Sequence, residues 1–597
     1  MKYQSRNQTS MKRSVSGLCL SIILLLFAAG IRLTAAEKRT TNQKNAPPNI
    51  VLIFIDDMGW PAVSCLGNQH VETRHIDRLA EEGMLFTNAY VNPQCTPSRA
   101  SLITGQHTAR NRFWHVIGRY GYPYMRMQEP PYQENLDRDA YTLAEMLQDN
   151  GYVTALNGKW HLHTWNDRYP DPDGYYTYLF EKAKDYYGFD YATIPEDMHY
   201  HQRGDKGVDY LTDEAICFIR ENRERPFFVY LSHHTIHGPV LAPDILVDKY
   251  REKGYPEEGV FNATYLAAIE HLDNATGRLL NFLDESGLSQ NTMVIFLTDN
   301  GGVDREFDND PLRYGKGSMY EGGIRVPMMV RWPDVIEPAT ICNTPVHIID
   351  LYPTFLEIAG GTMKQAWVLD GESLIPLLTQ KRSSLERNTL YWYMPLYDVS
   401  WGATPCAIIR KEDLKLIEFF GDYVDRESDR EYIPRGRTEL YDLSADLGEK
   451  VDLSESRPDL TEKLRAELYN WIDSMDAPLP LLNERYDPDR LWERANNQMN
   501  FVPILEIPIP DISFSAGIPF VFKLDPLTFT EYDKEDLNYF VCQEGGEKLP
   551  EWLDFNRETL EFSGLHNEPV AITLEVIASD PQGASAKDIF TLTLTKQ

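Results

Sequence analysis

The sequence is poor in basic residues for its length. It has 58 lysines and arginines against 90 aspartates and glutamates in 597 residues, so its formal net charge is −32. Because a nucleic-acid backbone requires a basic face, this deficit argues against nucleic acid as a partner. It also argues against loose adsorption to anionic membranes. An acidic substrate would require a locally basic pocket within this acidic body.

Long hydrophobic runs are also scarce, and the main one, Leu18 to Ile31, lies near the N-terminus. Lys12 and Arg13 precede this run, and Thr34-Ala35-Ala36 follows it with the small residues of a cleavage site. The run is short for a membrane span. We therefore expect a signal peptide over residues 1–36, cleavage near Ala36, a secreted or periplasmic protein and no stable membrane anchor. An uncleaved anchor is the alternative.

Cysteine is rare as well, with seven in the chain. Removal of residues 1–36 would take away Cys19 together with five cations and no acids, which leaves six cysteines and a net charge of −37. If Cys95 is reserved for chemistry, five thiols remain, enough for one or two disulfides in an oxidising compartment. Their pairing does not follow from sequence. The composition is otherwise that of an ordinary globular protein, and the length suits two to four domains.

Cys95 stands directly before a predicted helix start, in the stretch Asn92-Pro93-Gln94-Cys95-Thr96-Pro97-Ser98-Arg99. Pro97 suits a first-turn position, because its missing N–H would have no partner there. Ser98 and Arg99 add a hydroxyl and a fixed cation. A helix N-terminus with an arginine beside it favours a negative charge, either a thiolate or a bound oxyanion. Cys95 is therefore a candidate nucleophile, and a buried, inert cysteine is the alternative.

Two predicted strands end in pairs of oxygen-bearing side chains. The apolar run Asn49–Ile55 is typical of a strand buried on both faces, and Asp56-Asp57 follows it. The run Met293–Thr298 leads to Asp299-Asn300 in the same way. Neighbouring carboxylates repel each other, and a bound cation would relieve that repulsion. Each pair alone is a weak signal, since a solvated strand end or a helix cap would have the same residues.

Cationic side chains follow other predicted strands and turns. These are Lys159 and His161 after Tyr152–Leu156, His233, His234 and His237 after Pro226–Ser232, and Lys316 in the glycine-rich turn Gly315–Gly323. Strands alternate with helical patterns over residues 48–384, for example at Ile76–Gly83, Tyr141–Gly151 and Asp213–Asn222. This alternation predicts an α/β domain with a mostly parallel sheet and helices on both faces. In such sheets the carboxyl ends of the strands hold the ligand site.

The remainder of the chain changes character. Residues 385–485 predict an α+β subdomain with antiparallel strands and an amphipathic helix at Leu460–Met475, and the proline-rich residues 486–509 predict a linker. Alternating apolar residues after position 510, with a turn at Asp580-Pro581-Gln582-Gly583, predict an all-β module over 510–597. The segments Leu549–Phe555 and Leu560–Gly564 of this module resemble cadherin-like or immunoglobulin-like β-sandwiches.

The run Cys95-Thr96-Pro97-Ser98-Arg99, followed by Leu102-Ile103-Thr104-Gly105, resembles the signature of the formylglycine-dependent sulfatases. In that family a maturation enzyme oxidises the cysteine to formylglycine after translation. The strand-end pairs and the cationic turns match the family's motifs in identity and in order along residues 48–480. The resemblance implies an alkaline-phosphatase-like fold and a sulfatase activity.

The resemblance also implies a set of site residues. The metal ligands would be Asp56, Asp57, Cys95 as formylglycine, Asp299 and Asn300. Oxygen ligands suit a hard cation, so calcium is expected and magnesium is possible. The catalytic residues would be Cys95, Arg99, Lys159, His161, His237 and Lys316.

Roles for these residues follow from the family's reaction. One hydroxyl of the formylglycine hydrate attacks sulfur in line, and His237, or alternatively Lys316, protonates the leaving alcohol. His161 would act on the hydrate and Arg99 would hold it. Lys159, Lys316 and His237 would bind the sulfate. Fixed cations and a metal stabilise the charge that moves to the leaving oxygen.

A sulfated carbohydrate is the expected substrate. Aromatic faces suit sugar rings, so Trp114, His115 and the segment Tyr391-Trp392-Tyr393 are expected beside the pocket. The expected role is polysaccharide degradation on fragments such as algal galactans or glycosaminoglycans, between which the sequence does not choose.

Three other interpretations remain open at this point. Related folds hydrolyse phosphate or phosphonate esters, although one acidic cluster and the oxidisable cysteine favour sulfate. The histidines His233, His234 and His237 could suggest zinc, but their surroundings lack the spacing of a closed zinc cage. The third interpretation is a carbohydrate-binding or adhesion protein with an inert sulfatase-like domain. An inert domain of this kind would be expected to have lost Cys95 or a metal ligand.

Overall fold

A computed structural model describes most of the chain after residue 46. The described residues are 47–116, 121–133, 135–163, 183–184, 186–193, 204–363, 366–398, 401–425, 431–493, 503–505, 507–526, 528–530, 537–579 and 585–596. The predicted signal peptide and the predicted turn at 580–583 lie outside these residues. Within them, no helix combines the length and the apolar character that crossing a membrane requires.

The first domain is built on one large sheet. Its strands and one separate short strand are, in chain order, β1 (Asn49–Ile55), β2 (Met84–Tyr90), β3 (Met127–Gln128), β4 (Val153–Gly158), β5 (Tyr191–Thr193), β6 (Phe227–Ser232), β7 (Thr292–Thr298), β8 (Arg325–Arg331), β9 (Thr340–Cys342) and β10 (Val346–His347). The sheet order is β10-β2-β8-β7-β1-β6-β4-β5, with β9 also paired to β2. Only β8 runs antiparallel to its neighbours among the described strands of this sheet, so the predicted mostly parallel sheet is confirmed.

Helices cover both faces of this sheet. The helices of the described residues are α1 (Arg74–Glu81), α2 (Cys95–Thr104), α3 (Thr108–Asn111), α4 (Leu143–Asp149), α5 (Val208–Asn222), α6 (Asp244–Glu252), α7 (Ala263–Glu285), α8 (Glu321–Ile324), α9 (Leu351–Ile358), α10 (Ile375–Leu378) and α11 (Pro458–Ser474), with 3₁₀ turns at Ser64–Leu66, Ser289–Asn291 and Ile348–Asp350. Along β1, alternate side chains enter two separate cores: Ile50 and Phe54 pack with α2, α4 and α9, while Val51 and Ile53 pack with α1, α5 and α7. A strand buried on both faces explains why its sequence is uniformly apolar.

Helix α5 begins earlier than its sequence pattern indicates. Periodicity predicts a start at Asp213, whereas the helix starts at Val208. The Asp205 carboxylate accepts hydrogen bonds from the N–H groups of Gly207 and Asp209, at 3.0 and 3.3 Å. This side chain satisfies N–H groups that have no partner inside the helix, so the first turn forms ahead of the apolar pattern.

The second region packs an antiparallel sheet against helix α11. Its strands are β11 (Thr389–Met394), β12 (Cys406–Lys411), β13 (Leu414–Phe419), β14 (Tyr423–Asp425), β15 (Glu431–Ile433), β16 (Arg437–Asp442) and β17 (Leu481–Leu482). The sheet order is β11-β12-β13-β16, while β14 pairs with β15 and β17 pairs with β3. The buried ammonium group of Lys415 lies between two carboxylates, 3.0 Å from Glu321 and 2.8 Å from Glu449. This group of three charges joins the second sheet to α8, which directly precedes β8.

The C-terminal module is a β-sandwich with its own core. Its strands are β18 (Ile504–Leu505), β19 (Ile512–Ser515), β20 (Phe520–Lys523), β21 (Phe529–Thr530), β22 (Asn538–Gln543), β23 (Leu553–Asn556), β24 (Glu561–Gly564), β25 (Val570–Ser579) and β26 (Ser585–Thr595). One sheet has the order β19-β26-β25-β22 and the other β20-β24-β23. Side chains of both sheets, including Phe520, Phe562 and Phe590, share one cluster. The predicted all-β module is confirmed.

Candidate active site

Four neighbouring parallel strands bring the predicted site residues to one edge of the large sheet. Asp299-Asn300 follow β7, Asp56-Asp57 follow β1, His233 follows β6 and Lys159 follows β4. Backbone bonds continue past the strand ends, since Asp299 N–H donates to Ile55 at 3.0 Å and Asp56 N–H donates to Thr235 at 3.1 Å. The edge is therefore held by the backbone as well as by side chains. This is where open α/β sheets place their ligand sites.

Gly158 allows β4 to approach β6 at this edge. Its φ is 112°, and a Cβ atom there would lie 1.9 Å from the Ser232 carbonyl oxygen. Only glycine fits a backbone position with both properties. The close approach lets the next residue, Lys159, donate its N–H to that same carbonyl at 2.8 Å. Asp57 and His161 also have left-handed backbones, with φ of 64° and 60°, and such conformations often mark functional sites.

Cys95 is the first residue of α2 and lies against the carboxylates. Its side chain and those of Asp56 and Asp299 each offer one ligand atom, and these atoms lie within 4.8 Å of one another. Every residue of α2 is buried. Burial raises the pKa of the Cys95 thiol to about 11, although Lys159 and Lys316 act in the opposite direction. A neutral thiol is a poor nucleophile, so the structure does not favour chemistry by an unmodified Cys95 thiolate.

Arg99 is fully buried and links three strand ends. Its Nε and Nη2 atoms donate to Asp299 Oδ2 at 3.1 and 2.7 Å. Its Nη1 atom donates to the Lys159 carbonyl at 3.1 Å and to Ser232 Oγ at 2.6 Å. A planar guanidinium can satisfy all these acceptors at once, which a lysine cannot do. Arg99 therefore fixes the geometry between β7, β4 and β6.

Two lysines pair with the Asp56-Asp57 carboxylates. Lys159 Nζ lies 2.6 Å from Asp56 Oδ2, and Lys316 Nζ lies 2.6 Å from Asp57 Oδ1. Burial would raise the pKa of Asp56, but Lys159 and other nearby cations hold it well below its usual range. Burial and the neighbouring Asp56 charge raise the pKa of Asp299 to about 7, against the opposing effect of Arg99. The site therefore contains buried lysines next to buried carboxylates.

Two histidines lie beside these charged groups. His237 hydrogen-bonds through Nδ1 to the Gly238 carbonyl at 2.7 Å, and its Nε2 faces Asp57 Oδ2 at 3.9 Å. Its side chain is 41% exposed, so Nε2 is accessible from solution. Burial, followed by the charges of Lys159 and Arg99, lowers the pKa of His161 well below its usual value. His161 is therefore kept neutral, while His237 lies at the open side of the site.

The side chains at this edge fit a hard divalent cation. Within the described residues, Asp56 Oδ1 and Asn300 Oδ1 are buried atoms without a hydrogen-bond partner. The Asn300 amide nitrogen donates to Asp57 Oδ1 at 2.8 Å, which leaves its oxygen free to bind a metal. Buried polar atoms are otherwise almost always satisfied. Carboxylate and amide oxygens are the ligands that calcium and magnesium prefer.

His233, His234 and His237 do not form a metal cluster within the described part of the chain, where the other candidate group is Asp205, Asp209 and His271. Burial lowers the pKa of His233 to about 3, with His271 adding to the effect. Of the three histidines, the geometry brings His237 to the Asp57–Lys316 pair. A zinc cage made from these three histidines has no support in this arrangement.

The residues predicted to contact a sugar take different positions. His115 Nε2 lies 2.7 Å from Asp398 Oδ2 and is buried beside Gln94, the neighbour of Cys95. Trp114 is only 1% exposed, and its indole N–H donates to the Thr108 carbonyl at 2.7 Å. Trp114 belongs to the core of the second region, so its ring is not available to a sugar in this arrangement. Trp392 is equally buried.

Several residues at the site have no clear signal in the sequence. Ser232 Oγ accepts from Arg99 and donates to the Lys159 carbonyl at 2.7 Å. Lys206 Nζ donates to the His237 carbonyl, and burial lowers the pKa of Lys206 to about 8. Asp398 accepts from the Gln94 amide at 2.6 Å across 304 positions of sequence. The last residue of a predicted strand could have indicated Ser232, but the other two depend on distant parts of the chain.

Three family models match the chain, and the first two overlap over residues 312–361. The model described as "Sulfatase" matches residues 48–361, and that described as "N-sulphoglucosamine sulphohydrolase, C-terminal" matches residues 312–474. A third, described as "Putative Ig domain", matches residues 502–595. The first match alone includes all the site residues at the strand ends, together with Cys95 and Lys316.

Individual proteins show the same similarity. A "Sulfatase" from Formosa agariphila is 31% identical over 529 residues, which is 76% of this chain and 94% of that protein. The human "N-acetylgalactosamine-6-sulfatase" is 30% identical over 377 residues, 58% of this chain and 68% of that protein. Among solved structures, "Ps i-CgsB in complex with k-i-k-neocarrahexaose" has a TM-score of 0.56 and 27% identity, over 73% of this chain and 95% of its own.

Proposed function

The chain belongs to the sulfatase family and is a sulfuric ester hydrolase, and from that premise we propose that it removes sulfate from oligosaccharides of sulfated polysaccharides. The nucleophile would be formylglycine made from Cys95, and one divalent cation, calcium in preference to magnesium, would be bound beside it. We further propose that residues 1–36 are a signal peptide and that the enzyme works outside the cytoplasm.

One observation supports this proposal most directly. The side chains of Cys95, Asp56 and Asp299 converge within 4.8 Å, and the cations Lys159 and Lys316 lie beside the same carboxylates. Oxidation of Cys95 to an aldehyde would replace its sulfur by oxygen, so the ligand set would consist of oxygen atoms only. That set suits a hard cation better than one containing sulfur.

The residues of this chain would divide the work by position. Lys159, Lys316 and His237 surround the Asp56-Asp57 pair and would bind the sulfate oxygens. His237 Nε2 is on the accessible side, because Nδ1 is bound to the Gly238 carbonyl, and it would give a proton to the leaving alcohol. Lys316 is the alternative donor. Such fixed charges stabilise a developing negative charge without reorganisation.

Arg99 and His161 would act behind the nucleophile. Arg99 holds Asp299 and the ends of β4 and β6, and His161, whose lowered pKa keeps its imidazole neutral, would act on the hydrate. When present, the aldehyde hydrate would supply the attacking oxygen. The bound cation would stabilise the negative charge of the nucleophile and the neighbouring carboxylates. The residues that would hold the cation are Asp56, Asp57, Asp299, Asn300 and the modified Cys95.

The carbohydrate part of the proposal is supported by the matched proteins. The human relative is named for a sulfated aminosugar, and the solved relative was crystallised with a neocarrahexaose. Both names indicate sulfated or oligomeric sugars, and the site of this chain has the local cations that such anionic substrates require within an acidic body. A phosphonate monoester hydrolase shares the fold, with a TM-score of 0.54 and 20% identity.

Mass spectrometry of the peptide that contains Cys95 tests the nucleophile. Conversion of cysteine to formylglycine lowers the mass by about 18 Da, from the atoms exchanged. Cys95→Ala should abolish sulfate release and keep the wild-type melting temperature, because it removes the source of the aldehyde. Cys95→Ser should also be inactive where the maturation enzyme accepts only cysteine. Turnover by Cys95→Ala at the wild-type rate would show that the mechanism is wrong.

A substrate panel tests the reaction and its substrate class. We expect release of sulfate from sulfated galactan or glycosaminoglycan oligosaccharides, and much slower hydrolysis of phosphate and phosphonate esters of the same alcohols. Faster hydrolysis of the phosphonate ester would favour the alternative activity.

A further inference from the structure

Trp401 lies against the turn that carries Lys316, although it comes from the second region of the chain. Its Cβ and Cγ atoms would lie 2.5 and 2.6 Å from a Cβ atom built on Gly317, whose φ is 79°. Any larger residue at position 317 would therefore push the indole away. The Lys316 ammonium lies 5.7 Å from the centre of the Trp401 ring. Trp401 is half-buried as a residue, so it lies between the buried Lys316 and the surface of the protein.

Arg305 approaches the same ring from the loop that follows β7. Its guanidinium carbon lies 5.6 Å from the Trp401 ring centre. Since Lys316 Nζ lies 5.7 Å from that centre, the two cationic groups are at most 11.3 Å apart. This loop and the Lys316 turn are joined by a hydrogen bond from Lys316 N–H to the Gly302 carbonyl at 2.9 Å. Arg305 is thus placed six residues after Asp299, at the outer side of the site.

The charge of Arg305 is available to a ligand. Its side chain is 71% exposed, and it forms an ion pair with the adjacent Glu306 at 3.5 Å. An exposed pair of this kind contributes little energy, so it would not compete strongly with a bound anion. A guanidinium can bind a sulfate through two parallel hydrogen bonds. The chain has a net charge of −32, so an anionic substrate requires local positive charge. Arg305 supplies such a charge near Lys316.

We propose that Trp401 and Arg305 form the subsite for the sugar that bears the scissile sulfate, and that Arg305 binds a second sulfate group of the same substrate. The proposal rests on the proposed function, because it takes the Lys316 side of the site as the place of the scissile sulfate. The preferred substrate would then be an oligosaccharide with more than one sulfate. The indole would support the sugar ring and the guanidinium would select for the additional charge.

Binding to the full-length protein tests this proposal without turnover. Isothermal titration would compare sucrose octasulfate, a disaccharide with many sulfates, with inorganic sulfate, which is too small to reach both cations. In Arg305→Gln we expect the Kd of sucrose octasulfate to rise about tenfold and that of inorganic sulfate to rise less than about twofold. Raising the salt concentration should reduce the difference between wild type and variant, because the lost contact is an exposed charge.

Arg223→Gln is the matched control. Arg223 is 50% exposed and pairs with its own following residue, Glu224, at 3.7 Å, as Arg305 does with Glu306. The control should bind sucrose octasulfate as the wild type does. An equal loss in both variants, an unchanged Kd in Arg305→Gln, or an equal effect on sucrose octasulfate and inorganic sulfate would each overturn the role of Arg305.

A second pair of variants tests the ring. Trp401→Ala should weaken sucrose octasulfate binding, and Trp401→Phe should restore most of it, because an aromatic face remains. Equal weakening by both variants would overturn the role of the ring. Sulfate release from the sulfated galactan or glycosaminoglycan oligosaccharides by the same wild-type preparation tests the proposed function separately, so a failed reaction and a failed subsite give different results.

Discussion

Arg99 shows how one side chain sets the geometry of the whole site. It is completely buried and donates to Asp299, Ser232 and the Lys159 carbonyl from one planar group. A lysine at this position would keep the charge but leave buried acceptors unsatisfied. Each such acceptor costs about 1–3 kcal/mol.

We therefore expect Arg99→Lys to lower both thermal stability and kcat/KM, the latter by about a hundredfold, as for the loss of a fixed electrostatic contact. Arg110→Lys is the control, because Arg110 forms a similar paired contact with Asp370, at 2.8 and 3.1 Å, away from the strand ends. It should lower the melting temperature and change kcat/KM much less. Thermal denaturation and steady-state kinetics on both variants distinguish the two effects.

Asp299 is the carboxylate whose loss should be most visible in metal binding. Asp299→Asn keeps the shape but removes a negative charge from the group that includes Asp56 and Cys95. We expect wild type to hold one calcium per chain and the variant to lose both calcium and activity, as measured by elemental analysis and sulfate release. Asp273→Asn, a buried aspartate that accepts from the His75 and Ile76 N–H groups, should keep its calcium. Stoichiometric zinc in the wild type would contradict this prediction.

Residues were predictable where local chemistry alone places them. Asp56-Asp57 and Asp299-Asn300 stand after short, β-branched apolar runs that are typical of buried strands, so their shared edge follows from the rule for parallel sheets. Asp398 and Trp401 reach the site through contacts with residues far away in the sequence, and no local pattern indicates that. Trp114 differs from both, because this aromatic residue near the nucleophile packs in the core of the second region.

At the scale of elements, the buried charges around Lys415 join the second sheet to the first domain. Burial, which Lys415 opposes, raises the pKa of Glu449 to about 7. Its folded pKa therefore exceeds that of an unfolded glutamate, near 4.5. Between these values the folded protein binds a proton that the unfolded chain has released, so this group makes stability fall as the pH rises from about 4.5 to 7.

Glu449→Gln should remove this pH dependence, because glutamine resembles the protonated acid. In the wild type the Glu449 carboxylate accepts a hydrogen bond from the Glu321 N–H at 2.7 Å, and the glutamine side chain keeps an oxygen that can accept it. We compare the difference in melting temperature, variant minus wild type, at two pH values. We expect this difference to be larger at pH 7 than at pH 5. The contribution is at most about 1.4 kcal/mol per pH unit. A constant difference between the two proteins across this range would contradict the assigned pKa.

Strand order was less predictable than strand existence. The runs that form β1, β4, β6 and β7 are apolar enough to identify from sequence, but nothing in β8 indicates that it is antiparallel to β7. Its direction depends on the connection over residues 299–324, which is long enough for a crossover but stays at the carboxyl edge of the sheet, where it carries the Lys316 turn and α8. The start of α5 was missed because a capping aspartate, rather than the apolar period, determines it.

At the scale of the whole molecule, the C-terminal module is more acidic per residue than the body that it follows, with −11 in 97 residues against −21 in the preceding 500. Residues 501–597 contain 6 basic and 17 acidic residues, a net charge of −11. A sulfated polysaccharide is a polyanion, and like charges oppose its approach, most strongly at low salt. We therefore propose that the module is a spacer or a protein-contact domain rather than a docking site for the substrate.

Truncation after Glu493 tests this proposal, because β18 at Ile504–Leu505 already pairs with β21 of the module. The truncated enzyme should hydrolyse a small sulfated oligosaccharide nearly as fast as the full chain does. The module, which has a core of its own, should pass through a sulfated-polysaccharide affinity gel at low ionic strength. Clear retention, or lost activity with an intact remaining fold, would contradict the proposal.

The burial of Cys95 has a consequence for the order of events during synthesis. The residue is 1% exposed, and the carboxylate that encloses it, Asp299, is made 204 positions later, from 95 to 299. An enzyme that oxidises Cys95 must therefore reach it before the sheet closes. At about 5–20 residues per second, that interval lasts about 10–40 s. A chain that folds without having met this enzyme would keep its thiol, so the active fraction of a preparation would be decided at the ribosome or during export.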